Sequence, residues 1–357
     1  MKNNTKKLRN ISFVIAFLII SCLLICFNYY MDAYGYAPEK IKKMEKIDIN
    51  TVSRDMIYTY LNKTKDVKIE TVIIGTSSAT PLFNVDLFHC YTASRIAMLS
   101  LPNLSIQETN DLLTYFLKLH PEAQHVMVSF DVNTYLYCLP YATLPKKPTS
   151  FVQDFIKLYY SVDVSKISLK NFLSRFEKKD KPVQEDEGYY VNTKRKYKYD
   201  ENTNFCMQKN LSQLKEIKQL IESKNLKTTY FMTPLHALYF SNMYKTEQLE
   251  KVENLKRELA KITPFYDMAY ITRHTAEPFE YFWADVIHPL PFINDKIYDV
   301  LVYNKPNSEI AVLVNSENIE ENLKYQRKLI EEFIKENPDY VNEYVNSELS
   351  NVEMEAC

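Results

Sequence analysis

Apolar positions along this chain fall into one long run and several short ones. From Ile11 to Phe27 only Ser12 and Ser21 interrupt an apolar stretch, with Tyr29 and Tyr30 just beyond it. That length is near the minimum for one bilayer crossing, and the tyrosine pair stands where an interfacial belt would be. The short runs are Ile69 to Ile74, Arg95 to Leu101, His125 to Asp131, Thr228 to Met232 and Phe265 to Ile271, each with the character of a buried strand. Segments of helical period separate them. Ser105 with Glu108 forms a capping-box pattern opening a helix with Leu112, Leu113, Phe116 and Leu117 to about His120. Leu211, Leu214, Ile217, Leu220 and Ile221 mark a second helix, and Leu249, Val252, Leu255 and Leu259 a third. Helices alternating with short apolar strands predict an α/β domain with a mostly parallel sheet covered on both faces.

The remaining segments set the domain plan. Residues 1–10 carry Lys2, Lys6, Lys7 and Arg9 and no acid, whereas Met31 to Asn50 has four Lys and four acids. The positive-inside rule then predicts a cytoplasmic N-terminus, a signal-anchor over 11–30 and everything later outside the cell membrane. Phe27-Asn28-Tyr29 lacks the small residues of a cleavage site. Ile19-Ile20-Ser21-Cys22 resembles a lipobox, but the apolar run continues through Leu23 to Phe27 where a polar tether is expected, so the uncleaved anchor is the stronger reading and lipidation at Cys22 the weaker. Residues 31–67 read as a juxtamembrane stalk with a short helix near Ile49 to Leu61. The main domain spans 68–304 and carries a charged, exposed insertion at 171–204. Residues 305–357 form a C-terminal helical extension, with Ile319, Leu323, Ile330, Phe333 and Ile334 on one face.

Composition narrows the chemistry. With 44 basic against 45 acidic residues in 357, the net charge of −1 argues against nucleic acid as a partner. The only glycines are Gly35, Gly75 and Gly188, so no Gly-rich phosphate loop or dinucleotide fingerprint can be built. Cys22 and Cys26 lie in the anchor. Cys90, Cys138, Cys206 and Cys357 contain no C-x-x-C pair, and outside the cytoplasm a disulfide among them is allowed without its partners being readable.

In a parallel α/β sheet, functional groups sit on loops beyond the C-terminal strand ends. Those positions here hold Gly75-Thr76-Ser77-Ser78, Asp131 with Asn133, Thr233-Pro234 with His236, and Trp283 to Pro289. A Gly directly after an apolar strand permits a tight turn and leaves a hydroxyl beside backbone N–H groups that can stabilise an oxyanion. Alternatively, Ser77 and Ser78 cap a helix. Asp285 and His288, three residues apart, can face one another, and such a carboxylate holds an imidazole in the tautomer a general base needs. Pro289 biases His288 towards an extended conformation. The plainer alternative is a turn-capping Asp with a His packed on Trp283. A metal site of His236, Asp285 and His288 is a weaker reading still, and no cofactor is expected.

A strand–Gly–x–Ser turn near the domain start, with Asp-x-x-His before a late helix, resembles the SGNH (GDSL-like) hydrolase superfamily over about residues 68–304. The likeness is greatest to its membrane-anchored extracytoplasmic branch, which includes teichoic-acid D-alanyl transfer and alginate acetyltransferase-like proteins. Gly75-Thr76-Ser77 matches the Gly-Ser-Ser turn of that branch, and Tyr230 to His236 is similar to one of its strand-end segments. The resemblance implies a three-layer α/β/α, flavodoxin-like fold with a mostly parallel sheet. It implies Ser77 as nucleophile, His288 as base and Asp285 as the residue orienting it. Gly75, Ser78, Asn133 and His236 are the oxyanion or pocket candidates, with packing at the strand end the alternative for His236. Two departures stand out: Leu101-Pro102-Asn103-Leu104 replaces the second block with its oxyanion-hole Gly, and Phe130-Asp131-Val132-Asn133 replaces Gly-x-Asn-Asp.

The resemblance therefore implies an anchored serine-dependent O-acyltransferase or carboxylester hydrolase. Its partners would be a cell-envelope or exported polysaccharide, or another acyl acceptor, the membrane, and a membrane acyl-donor protein. The rival is a catalytically inactive protein of the same fold that binds polymer or a partner. A lipid-cleaving esterase is a third reading.

Overall fold

The computed structural model describes residues 2–31, 46–52, 54–83, 94–138, 144, 156, 159–173, 199, 203–277, 283–289, 294–303, 305 and 307–347. Most of the expected stalk (32–45), the bulk of the charged insertion (174–198), His89, Cys90, Cys357 and the last part of the C-terminal extension (348–357) lie outside the described residues.

In chain order the helices are α1 (Lys2–Met31), α2 (Ile57–Lys63), α3 (Ile106–Leu119), α4 (Val132–Leu136), α5 (Val162–Leu173) and α6 (Thr203–Ser223). They continue with α7 (Ala237–Lys245), α8 (Leu249–Ile262), α9 (Asn294–Leu301), α10 (Ile319–Glu336) and α11 (Pro338–Asn346). The strands are β1 (Lys46–Asp48), β2 (Thr71–Thr76), β3 (Ile96–Leu101), β4 (His125–Phe130), β5 (Lys227–Met232), β6 (Phe265–Asp267), β7 (Trp283–Asp285), β8 (His288–Pro289) and β9 (Val312–Val314). These elements cluster as two compact units, one within 1–44, 51–67 and 144–185, the other within 45–50, 68–143 and 186–357.

The first unit holds α1, α2 and α5. From Ile11 to Met31, α1 is long and apolar enough to cross a membrane, and its apolar side chains stand largely exposed.

The second unit is mixed α/β. Its seven-stranded sheet has the order β1-β3-β2-β4-β5-β6-β9, and only the β6–β9 pair is antiparallel. Every residue of β2 and β3 is buried, as expected of parallel strands covered on both faces. On one face Ile73, Met98, Met127 and Phe231 share a core with Ile297, Tyr298 and Leu301 of α9. On β2 also packs α3, which lies beside α6, and α6 lies beside α8. The capping box of α3 is formed: Ser105 Oγ accepts from the Glu108 amide at 3.3 Å, and Glu108 Oε2 accepts from the Ser105 amide at 3.1 Å. The chain lays β3 on one side of β2 and then β4 on the other. The crevice at the C-terminal ends of β2 and β4 is therefore a topological switch point.

Several boundaries differ from the sequence expectation. The region read as stalk contributes β1, and the short helix expected near Ile49 to Leu61 is α2. The tail read as wholly helical contributes β9. Strands of three residues carry too little alternation to be recognised. The run expected from Phe265 to Ile271 ends as a strand at Asp267, because that side chain turns the backbone by accepting from the Ala269 amide at 2.9 Å. Asp267 also binds the buried Lys256 of α8 at 2.8 Å, and Gln326 of α10 bonds to both partners, docking the tail onto the sheet edge. Cys138 and Cys206 form a disulfide joining the segment after α4 to α6.

Candidate active site

The turn after β2 is fixed by neighbours on β4. Gly75 is part of β2 and does not adopt a left-handed φ, so a tight turn is not what requires glycine there. Close approach is: a Cβ at this position would lie 1.8 Å from Ser129 Oγ and 2.9 Å from Ser129 Cβ. Ser78 is fully buried and donates to Asp131 Oδ2 at 2.6 Å, while Asp131 Oδ1 accepts from the Thr134 amide at 2.9 Å and so caps α4. Ser78 therefore ties the turn to the end of β4, and it does not face a pocket. Neither serine caps a helix, since the 3₁₀ turn Thr80–Leu82 that follows starts from Ala79 without a side-chain cap. Ser77 is left half-buried at the C-terminal edge of the sheet.

The partner loop is a two-stranded ribbon of β7 and β8 in which Asp285 pairs with His288. Asp285 Oδ1 accepts from the amides of Ile287 and His288, each at 2.9 Å, which closes the turn and leaves Oδ2 for the ring of His288 at 2.7 Å. On the other side of that ring, Nε2 lies 2.9 Å from Ser77 Oγ. The Asp285 side chain is 7% exposed and that of His288 24%, so the base is reachable from solvent while its partner is shielded. Burial pushes the Asp285 carboxyl up. The hydrogen bond and charge of His288 and two backbone N–H donors outweigh burial, and hold it below its ordinary value. An ionised Asp285 can only accept, so Nδ1 carries a proton in either state of the ring, and in the neutral ring Nε2 presents a lone pair to the Ser77 hydroxyl.

Of the two places expected of it, the pocket lining and the strand end, His236 takes the strand end. Its amide donates to the Val286 carbonyl at 3.0 Å, and its ring meets Trp283 edge-on with centroids 5.2 Å apart. Nδ1 accepts from the Leu238 amide at 3.0 Å and Nε2 lies 2.9 Å from the Glu277 carbonyl, so both ring nitrogens are engaged and neither is available to a metal. Burial, opposed by the Glu277 bond, pushes its pKa down to about 4. His236 is thus a neutral brace behind the loop carrying Asp285 and His288. No cluster of three metal-binding side chains occurs among the described residues.

Asn133 is buried in the first turn of α4. Its Oδ1 lies 2.7 Å from the Tyr199 hydroxyl and 3.2 Å from that of Tyr239, and the two hydroxyls also meet, so two protons serve this three-oxygen cluster. Its Nδ2 has no hydrogen-bond partner among the described residues. The tyrosine hydroxyls hold this buried amide from its oxygen side, and its nitrogen is a donor with its capacity unused. The two tyrosines were not readable from sequence, because 28 tyrosines give no local signal for which two converge on one asparagine. Asn103, between β3 and α3, has a φ of 53°, the left-handed conformation glycine favours.

Chemically, the arrangement offers a hydroxyl, an imidazole and a carboxylate in line. Against family models and curated proteins, no match to this chain is found.

Proposed function

We propose that this chain is a membrane-anchored, extracytoplasmic enzyme of the SGNH type, moving or removing an acyl group on a cell-envelope or exported polysaccharide. The observation that carries the reading is the hydrogen-bonded line from Ser77 Oγ through both nitrogens of His288 to Asp285. Three features support it. Leaving out β1 and β9, the strand order matches the flavodoxin-like order, with Ser77 at the switch point. The Cys138–Cys206 disulfide suits an oxidising compartment outside the cytoplasm. The excess of basic residues before Ile11 suits a cytoplasmic N-terminus.

In this mechanism His288 Nε2 takes the Ser77 proton as Oγ attacks the ester carbonyl, and Asp285 stabilises the imidazolium that results. The carbonyl oxygen becomes an oxyanion that the Ser77 amide and Asn133 Nδ2 receive. His288 then returns the proton to the leaving alcohol, giving an acyl-Ser77 ester. A sugar hydroxyl, deprotonated by His288, attacks that ester and carries the acyl group away, and water in its place gives hydrolysis. A membrane acyl-donor protein would supply the first ester.

A fluorophosphonate probe on the full chain in detergent tests the reading. Labelling is expected in the parent, absent in Ser77→Ala, and slowed about 10³–10⁴-fold in Asp285→Asn, as removal of a triad carboxylate does. Faster release from a chromogenic acetyl ester on adding polysaccharide marks transfer, and an unchanged rate marks hydrolysis. A parent chain that takes no label and releases no acyl group overturns the enzyme reading and leaves a binding protein of the same fold.

A further inference from the structure

Within the first unit, α5 lies against the C-terminal third of α1. Asn28, only 1% exposed, donates through Nδ2 to the Tyr159 carbonyl at 2.9 Å and to Ser165 Oγ at 3.0 Å. Ser21 bonds to the Tyr160 hydroxyl at 2.9 Å, and Phe27 meets Phe172 edge-on with centroids 6.0 Å apart. Ser165 and Phe172 are separated by about 10 Å of helix rise, yet their partners on α1 are adjacent residues. Hence α5 crosses α1 and does not run alongside it. The contacts at Phe27 and Asn28 lie where α1 leaves its apolar stretch, which is where a bilayer surface would be if α1 spans a membrane, and the Ser21–Tyr160 contact lies within the stretch.

The outward side of α5 is apolar. Val162 is 71% exposed, Leu169 50% and Leu173 52%. At about 100° per residue these three fall within roughly 40° of one another on the helix surface. Val164 and Ser168, buried, face the opposite way, and the exposed Lys166 and Lys170 flank the apolar stripe on one side. A helix with an exposed apolar stripe beside lysines, set across the end of a membrane-crossing helix, has the build of an in-plane interfacial helix. The lysine stems can lie along apolar surface while their charges reach anionic headgroups.

We infer that α5 is a second membrane contact, with Val162, Leu169 and Leu173 seated in the acyl–headgroup boundary of an anionic bilayer. The inference rests on α1 crossing the membrane and is independent of the chemistry at Ser77. Its occupant is lipid because α5 contacts a helix that is long and apolar enough to cross a membrane and because the flanking charge is basic.

The test uses the full chain in anionic lipid nanodiscs, with Leu169→Trp, Leu173→Trp or Ile19→Trp introduced singly. The native Trp283 is the sole tryptophan and is 2% exposed, so the parent chain sets a constant background. Lipids brominated high on their acyl chains, at the ~5–10 Å depth of an interfacial helix, should quench Leu169→Trp and Leu173→Trp more than deeply brominated lipids do. Ile19→Trp should show the reverse order. Quenching of the α5 tryptophans by aqueous acrylamide and not by bromolipid overturns the inference. A blue-shifted emission that no bromolipid quenches also overturns it, since a protein surface then covers the stripe. An Ile19→Trp emission untouched by any bromolipid removes the crossing itself, and the inference with it.

Discussion

Ser129 fills the space into which any side chain at Gly75 would project. Its Oγ would lie 1.8 Å from a Cβ at Gly75, and Ala79 Cβ would lie 3.2 Å away. Gly75→Ala should therefore cost about 2–3 kcal/mol, as overpacking in a tight core does, and slow labelling at Ser77 by shifting the turn. Adding Ser129→Gly should return more than half of the loss, a coupling that thermal unfolding of the single and double variants measures. Additive effects would show that the two positions do not touch.

Stability should fall on mild acidification. Burial, aided at His125 by Lys227 and opposed at His236 by the Glu277 carbonyl, lowers both imidazoles from 6.5 to about 4. The unfolded chain then binds more protons than the folded one between those values. The stabilisation is complete above about pH 6.5 and is lost as pH drops towards 4, on the order of 1–3 kcal/mol per histidine. Asp285, lowered from its ordinary 3.8, acts in a more acidic window: its contribution is present above that value and is lost as pH falls below it. Urea midpoints between pH 7.5 and 4.5 should slope downward, and His125→Gln or His236→Gln should each flatten the slope. A midpoint independent of pH in the parent would contradict this.

Lys256 and Asp267 are 1% and 0% exposed, and each is the other's ion-pair partner at 2.8 Å. Burial lowers the Lys256 pKa, and Asp267 opposes that shift. Lys256→Met leaves a buried carboxylate without its cation and should destabilise by about 3–5 kcal/mol. Lys256→Met with Asp267→Leu should recover part of that loss, read from the two melting temperatures. A double variant less stable than the single would overturn this, and would mean that Asp267 stabilises the fold without Lys256, through its bonds to the Ala269 amide and Gln326.

The elements legible in the sequence are those with enough length to show a period. The β-branched run leading into β2 and the capping box of α3 are local patterns, and the structure places a strand and a capped helix there. β1 and β9 have three residues each, and Leu313 in β9 is 48% exposed, so neither alternation nor burial marks them. At the site, Asp285 and His288 are near neighbours whose spacing is visible, and Ser77 stands out beside one of only three glycines. The hold of Tyr199 and Tyr239 on Asn133 spans 66 and 106 positions and depends on where α4 and α7 come to rest. Gly75 was readable as special but for a different reason, because steric crowding by Ser129 arises only once β2 and β4 are paired.

The antiparallel edge formed by β9 bears on the order in which the chain is made. While residues 312–314 are still unsynthesised, β6 has no partner on its outer side, and Asp267 and Lys256 lack Gln326. An emerging chain therefore presents an open row of backbone donors and acceptors at that edge. The last strand of the sheet comes from a segment that follows Ser77, Asp285 and His288 in sequence. A nascent chain thus carries all three site residues before the strand that covers β6, and the Gln326 that docks onto Lys256 and Asp267, have been made.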